Sequence, residues 1–283
     1  MKVKLVTSVL SIIAITGIIC LSSCKKKDMS EKDTDTSSAS DQSLASSSVN
    51  DLTNISDEAG RNYSVSSFRT ADANGLLATS CAIITVDTLS ATKTITVNFG
   101  ATNCICNDGR NRRGSIILSF NGKYRDSLTV ITVNPVNYFV NDNQVSGTKT
   151  ITNKGHNAAN HLVYEISANM TIVKANGAGT ISWSSVRQRE WIAGESTLIW
   201  SDDIYSITGS ASGTSASGNS FSSIITSPLI RNMSLACRKH FIQGILEHTP
   251  NGKATRIINF GNGACDDQAT VTINGNTYTI TLP

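Results

Sequence analysis

Past residue 63 the chain alternates in hydropathy. Leu162, Tyr164, Ile166, Ala168, Met170 and Ile172 are apolar; Val163, Glu165, Ser167, Asn169, Thr171 and Val173 between them are mainly polar. Ile95, Val97 and Phe99 alternate with Thr94, Thr96 and Asn98, and Tyr278, Ile280 and Leu282 with Thr277, Thr279 and Thr281. A period of two predicts strands with one packed and one wetted face. Polar outer faces favour antiparallel pairing over a doubly covered parallel sheet. Turn signals punctuate the runs at Asn121-Gly122, Asn141-Asp142-Asn143, Asn176-Gly177, Asn251-Gly252 and Asn274-Gly275. Asn and Gly accept the positive φ of tight hairpins. The expected fold is all-β and antiparallel, with no convincing long amphipathic helix. It is either one large half-barrel-like meander, which is favoured, or two sandwich modules at about 63–140 and 141–283.

The N-terminal part reads differently. Lys2 and Lys4 precede an apolar stretch, Val9 to Leu21, which is too short to span a bilayer as a lasting helix. It ends in Leu21-Ser22-Ser23-Cys24, followed by Lys25-Lys26-Lys27. These four residues resemble the lipobox of bacterial lipoproteins, and the chain is similar in this respect to uncharacterised lipoproteins of the Gram-negative envelope. The resemblance implies that residues 1–23 are a cleaved signal peptide. It also implies that Cys24 carries lipid and that the membrane is the first partner. Lys25 stands where an inner-membrane retention signal of the enterobacterial type has Asp, so the implied address is the outer membrane, on the periplasmic or the surface side. Residues 24–62, rich in Ser, Asp, Thr and Lys and without an aromatic residue, are expected to be a disordered tether. Residues 63–283 are expected to form the β domain.

The formal net charge of +3 falls toward neutrality once Lys2 and Lys4 leave. A neutral exported chain argues against a nucleic-acid partner. The implied processing leaves Cys81, Cys104, Cys106, Cys237 and Cys265, an odd set in a compartment that tolerates disulfides. An internal echo bears on them. Thr96-Val97-Asn98-Phe99-Gly100 and Ile257-Ile258-Asn259-Phe260-Gly261 are each followed, four residues after the Gly, by a Cys. Each unit also has a Cys before it and an Asn-Gly turn beyond it. The echo denotes two related modules or two ends of one sheet built alike. By symmetry it pairs Cys81 with Cys104 and Cys237 with Cys265, leaving Cys106; five cysteines also permit other pairings. Each bridge would add about 3–4 kcal/mol.

Candidate chemistry is sparse. Cys104-Ile105-Cys106 lacks the further ligands of a metal site. His156, His161, His240 and His248 have no zinc spacing. Asp202-Asp203 and Asp266-Asp267 do not match a calcium loop and suit turns and strand ends. The run Gly209 to Gly218 lacks the central Ser of a nucleophile elbow and reads as a hairpin tip. Thus no catalytic residue, metal or cofactor is expected. Arg110, Arg112 and Arg113 form a small basic loop able to meet lipid phosphates or anionic glycans, or simply solvent. The most suggestive row is Trp183, Ser185, Arg187, Arg189 and Trp191, which shares one side of a regular strand. Two aromatics bracketing two guanidiniums suit a glycan or an anionic ligand, by stacking and bidentate hydrogen bonds; packing and snorkelling are the plain alternative.

The function expected is therefore that of a membrane-anchored, non-enzymatic envelope lipoprotein that binds a glycan or another envelope protein. A structural or adhesive surface component associating through sheet edges is one alternative. A glycan hydrolase drawing on Glu165, Glu190, Glu195, Asp202 or Asp203 is another, and it needs two carboxylates across a cleft.

Overall fold

The computed structural model describes residues 33–63, 75–78, 81–197 and 199–283. Cys24 and residues 1–23, the expected signal peptide, lie outside them. The described compact unit runs from Asp33 to Pro283. It opens with one helix, α1 (Ser37–Tyr63), and continues as strands. In order these are β1 (Ile83–Asp87), β2 (Lys93–Asn98), β3 (Cys104–Ile105), β4 (Asn111–Phe120), β5 (Val130–Val140), β6 (Asn143–His156) and β7 (Leu162–Val173). Then come β8 (Thr180–Ala193), β9 (Ile204–Thr214), β10 (Ser220–Asn232), β11 (Gln243–Pro250), β12 (Arg256–Asn262), β13 (Gln268–Ile273) and β14 (Asn276–Thr281). All belong to one antiparallel sheet in near-sequential order, with β3 a short side pairing on β4. The all-β expectation holds in its continuous form: the division at 140/141 falls between two paired strands, β5 and β6.

Local chemistry sets the hairpins. Asn141 and Asp142 both have positive φ (48° and 62°), as do Asn274 and Gly275 (48° and 79°), so each pair closes a two-residue turn. Pro135 and Pro228, inside long strands, sit where the ladder slips between Val133 and Tyr138 and between Ile224 and Leu229. A residue without an N–H is tolerated there. Gly147 and Gly209 (φ 117° and 119°) bend β6 and β9, and a Cβ on either would collide with a carbonyl of the next strand, at Asn169 or Val186.

The echo is real at the level of backbone. Asn98 Oδ1 accepts from Gly100 N and Asn259 Oδ1 from Gly261 N, both at 2.9 Å. Phe99 and Phe260 are both buried. Disulfides join Cys81 to Cys104 and Cys237 to Cys265, with Cα separations of 5.5 and 4.6 Å. Cys106 is a buried free thiol. The repeat marks two ends of one sheet, not two domains.

The expected tether is corrected by α1. Residues 37–62, assigned from composition to a disordered segment, belong to a 27-residue helix, Ser37–Tyr63, whose described side chains are almost all buried. Its Ser, Asn, Asp and Thr content gives poor intrinsic helicity, so the sheet must supply the stability. Ala45, Val49, Leu52, Ile55 and Ala59, at helical spacing, join a core with Ile95, Val97, Ile116 and Val133 from the strands. Ser48, Thr53 and Ser56 donate to the carbonyls of Leu44, Val49 and Leu52 four residues back, so these hydroxyls are satisfied inside the protein. A second cluster, Phe241, Phe260, Ile258, Val271 and Ile280, packs the C-terminal strands and reaches Ala39 on α1. The sheet is thus curled around a helix that serves as its core.

Candidate functional site

The row Trp183, Ser185, Arg187, Arg189 and Trp191 does share one face of β8, but that face points inward. All five side chains are buried, at 7% exposure or less. Trp183 Nε1 donates to Gln42 Oε1 (2.9 Å) and Arg187 Nη1 to Ser46 Oγ (2.9 Å). Arg189 pairs with Asp57 at 2.7 Å, and Tyr205 OH donates to the same carboxylate at 2.8 Å. Trp191 Nε1 donates to Asp203 Oδ1 at 3.0 Å. The expected ligand platform is therefore corrected to a brace: its partner is α1 and the buried Asp203. A polar helix needs polar groups facing it, which is why an inward face came to look like an outward one.

The basic loop is corrected the same way. Arg112 is fully buried between Asp51 and Asp108, and Tyr138 OH donates to Asp51 Oδ2 at 2.6 Å. Burial alone would raise the Asp51 carboxyl; Arg112 and Arg110 outweigh it and hold the group below its ordinary value. Arg110 donates to Ser47 Oγ (2.8 Å) and to the carbonyls of Lys239 and Pro283. Arg113 is the most solvent-accessible of the three, paired with Asp142 and stacked on Phe139 at 3.9 Å.

Lys149, Arg187 and Arg231 are buried cations with no acidic partner among the described residues; Arg231 donates to the carbonyls of Arg238 and Lys239. Lys149 donates to Val49 O (2.9 Å) and Thr53 Oγ1, and burial pushes its ammonium well below the ordinary value. Burial likewise lowers Arg187 to about 10.

The carboxylates considered for hydrolysis are mostly tied up by partners of their own, and Glu165 stands on β7 opposite Gln188. Glu190 accepts from Asn157 Nδ2 (2.8 Å) and pairs with His161 Nδ1 (2.7 Å); Glu195 pairs with His156 Nε2 (2.7 Å). Asp202 accepts from Thr197 Oγ1, and Asp203 is buried beneath Trp191 and Tyr205. The groove beside Glu190, of about 270 Å³, has that one carboxylate in its wall, with His156, Gln188 and Thr208. Asp266 caps Gln268 N at 3.0 Å, the turn role expected of it. Burial raises the Cys106 thiol.

A larger concavity lies on the face of the sheet turned away from α1, and sequence reasoning did not single it out. Ala168, Ser185, Ala211 and Ser223 are neighbours in register across β7 to β10, all small and all inward. The Cα traces of β7 and β8 come within 8 Å of α1. The sheet dips toward the helix, and the outer side of the dip is a groove of about 800 Å³. Two rungs cross it. One is Thr148, Asn169, Ser184, Ser212, Ser222 and Thr249; the other is Thr150, Ser167, Val186, Ser210, Ile224 and Glu247. Six strands at ~4.8 Å spacing make each rung about 24 Å long. Val186 and Ile224 stand 56% and 54% exposed among the hydroxyls, and Glu247 is the one charged group in the lining. Ser184 Oγ donates to Asn169 Oδ1 at 3.1 Å, and most other hydroxyls face solvent. Such a surface offers neutral donors and acceptors in rows with a small apolar step. The retrospective signal is the run of small residues on both parities of β8 to β10.

No family model, curated protein or solved structure matches the chain.

Proposed function

We propose that the chain is a lipid-anchored envelope protein that binds a neutral glycan, without chemistry, along the outer groove. Attachment rests on Leu21-Ser22-Ser23-Cys24 and its resemblance to a lipobox; the outer-membrane address rests on Lys25. The observation that carries the binding role is the pair of hydroxyl and amide rungs laid over the dip between β6 and β11. Hydroxyl rows match the alternating donors and acceptors of a polyhydroxylated chain, and Val186 with Ile224 offers the apolar face of a sugar ring a place to rest. Nearly every contact exchanges one hydrogen bond to water for one to protein, a small net gain. The affinity is therefore weak, with Kd on the order of a millimolar, or about −4 kcal/mol.

Two measurements test this. Intact mass of the N-terminal peptide from membranes is expected to show acylated Cys24, and Cys24→Ala is expected to abolish membrane recovery. Glycan-array and NMR titration of the mature protein is expected to shift amides of β7 to β10. Ser212→Lys is expected to remove binding without lowering thermal stability. Shifts confined to the lumen or the hairpin turns, or binding that survives Ser212→Lys and Ser222→Lys together, would refute the groove.

A further inference from the structure

The burial of α1 shortens the leash and fixes which end of the body it enters. Asp33, the first residue of the folded unit, is bound by Arg256 Nη2 at 2.7 Å. Two residues on, Asp35 pairs with Lys253 at 2.7 Å. Ser38 Oγ meets His248 Nε2 at 2.6 Å. In the next turn of helix Asp41 takes Lys174 Nζ (2.7 Å) and the backbone N–H of Ala216 (2.8 Å). The helix start is thus clamped against three hairpin turns: 174–179 between β7 and β8, 215–219 between β9 and β10, and 251–255 between β11 and β12. From Cys24 to Asp33 there are nine peptide links, which fully extended reach about 30 Å. The helix behind them, 27 residues, rises roughly 40 Å.

We propose that the anchored protein stands with these three turns toward the lipid headgroups and α1 running away from the bilayer. The far pole, with the β6–β7 turn at Asn160 and the loop around Glu195, points outward. This rests on the lipid-anchor reading above. Charge agrees with it. The three turns carry no acidic side chain, and Asp142 on the neighbouring β5–β6 turn is paired with Arg113. Of the opposite loops, 194–203 carries Glu195 and Asp202, while 121–129 sets Lys123 and Arg125 against Asp126. Lys25, Lys26 and Lys27 lie in the leash itself, next to the lipid. An anionic leaflet therefore attracts the near pole through the lysines of the leash.

Energy transfer tests the orientation. Full-length lipidated protein, in a Cys106→Ala background, receives a donor dye at Ser217→Cys or at Asn160→Cys. It is reconstituted on phosphatidylethanolamine–phosphatidylglycerol vesicles carrying a headgroup-labelled acceptor lipid. Transfer from the Ser217 position is expected to be several times that from Asn160, and a long Gly-Ser insertion after Lys27 is expected to reduce it. Equal transfer, or more from Asn160, on protein that floats with the vesicles would overturn the orientation and leave the anchor standing. Protein that does not float would remove the anchor, and the orientation with it.

Discussion

Replacing Asp51 by Asn tests whether α1 is the core of the sheet. Asp51 sits midway along the helix and is 1% exposed. It accepts from Arg112 Nε (3.2 Å), from Arg112 Nη2 and from Tyr138 OH (2.6 Å), and lies 3.5 Å from Arg110 Nη1. Breaking a buried pair by removing one partner costs about 3–5 kcal/mol. Arg112 would keep Asp108, which takes both Nη1 (2.8 Å) and Nη2 (2.6 Å), so the ionic loss falls at the low end. The phenol of Tyr138 would lose an ionised acceptor, adding about 1 kcal/mol. The sum is about 4 kcal/mol, a large part of the ~5–15 kcal/mol that holds a typical domain. Urea unfolding followed by tryptophan emission reads it directly, since Trp183, Trp191 and Trp200 are all buried. The acid limb supplies a second signature. The folded carboxyl lies below its ordinary value of 3.8, so its contribution is present above that pH and is lost as pH falls further toward the folded value. Asp51→Asn should therefore narrow its deficit as the wild type is acidified below pH 4. A variant within 0.5 kcal/mol of wild type at pH 7, the range of ordinary surface changes, would show that the helix does not fill the lumen.

Deleting residues 33–63 should leave a protease-sensitive chain with no cooperative thermal transition, because the inner cations would lose their partners; a folded remnant by circular dichroism would contradict this. Burial raises Glu58 to about 7, although Leu77 and Leu76 donate their N–H groups to it. The raised group favours the fold at acid pH, and that advantage is lost as pH climbs from about 4.5 through 7. Glu58→Gln should flatten stability over this window, with a gain at pH 8 of up to ~3 kcal/mol; an unchanged pH profile would refute it. Replacing Cys237 and Cys265 by Ser should cost about 3–4 kcal/mol in denaturant titrations, and no loss would mean the C-terminal loops need no tie. Thiol titration of the non-reduced mature protein should find no reactive group while folded and one, Cys106, in guanidinium; a rapidly reacting native thiol would place Cys106 at the surface.

The strands, the hairpins and both disulfides were legible because their signals are local: alternation, paired positive-φ residues and a repeated Asn-Phe-Gly followed by Cys. The helix was not. Its apolar seam, Ala45, Val49, Leu52, Ile55 and Ala59, has the right spacing but is diluted by serine, asparagine and aspartate, which compete with helix in an isolated peptide. Burial reverses that judgement by giving each polar group a partner that only the folded sheet provides. The Trp183 to Trp191 row failed for a related reason. Alternation says which residues share a face, and leaves open which face is inside. Polarity normally decides, and here it misleads, because the core element is itself polar. The outer groove left a weaker trace still: a dip made by four small residues on adjacent strands is visible only once the register is known.

The helix and the sheet each lack stability alone, for complementary reasons. A segment rich in Ser, Asn and Asp with a narrow apolar seam is well solvated as a coil and does not hold a helix by itself. A curled sheet with Arg112, Lys149, Arg187, Arg189, Arg231 and Arg256 buried on its inner face has no dry way to close on itself. Each is the other's solvent. Their contacts are also distant in sequence: Asp57 meets Arg189 across 132 positions and Asp33 meets Arg256 across 223. Such closures are reached only after the intervening strands have paired, since loop entropy is spent before the contact returns anything. The N-terminal end of the helix therefore locks last although it comes first in the chain. Until β11 and β12 are in place the N-terminal clamp lacks its contacts to His248, Lys253 and Arg256. A chain truncated before Arg256 should therefore be less stable than the full one and, on the proposed lipid anchor, held less closely to the bilayer.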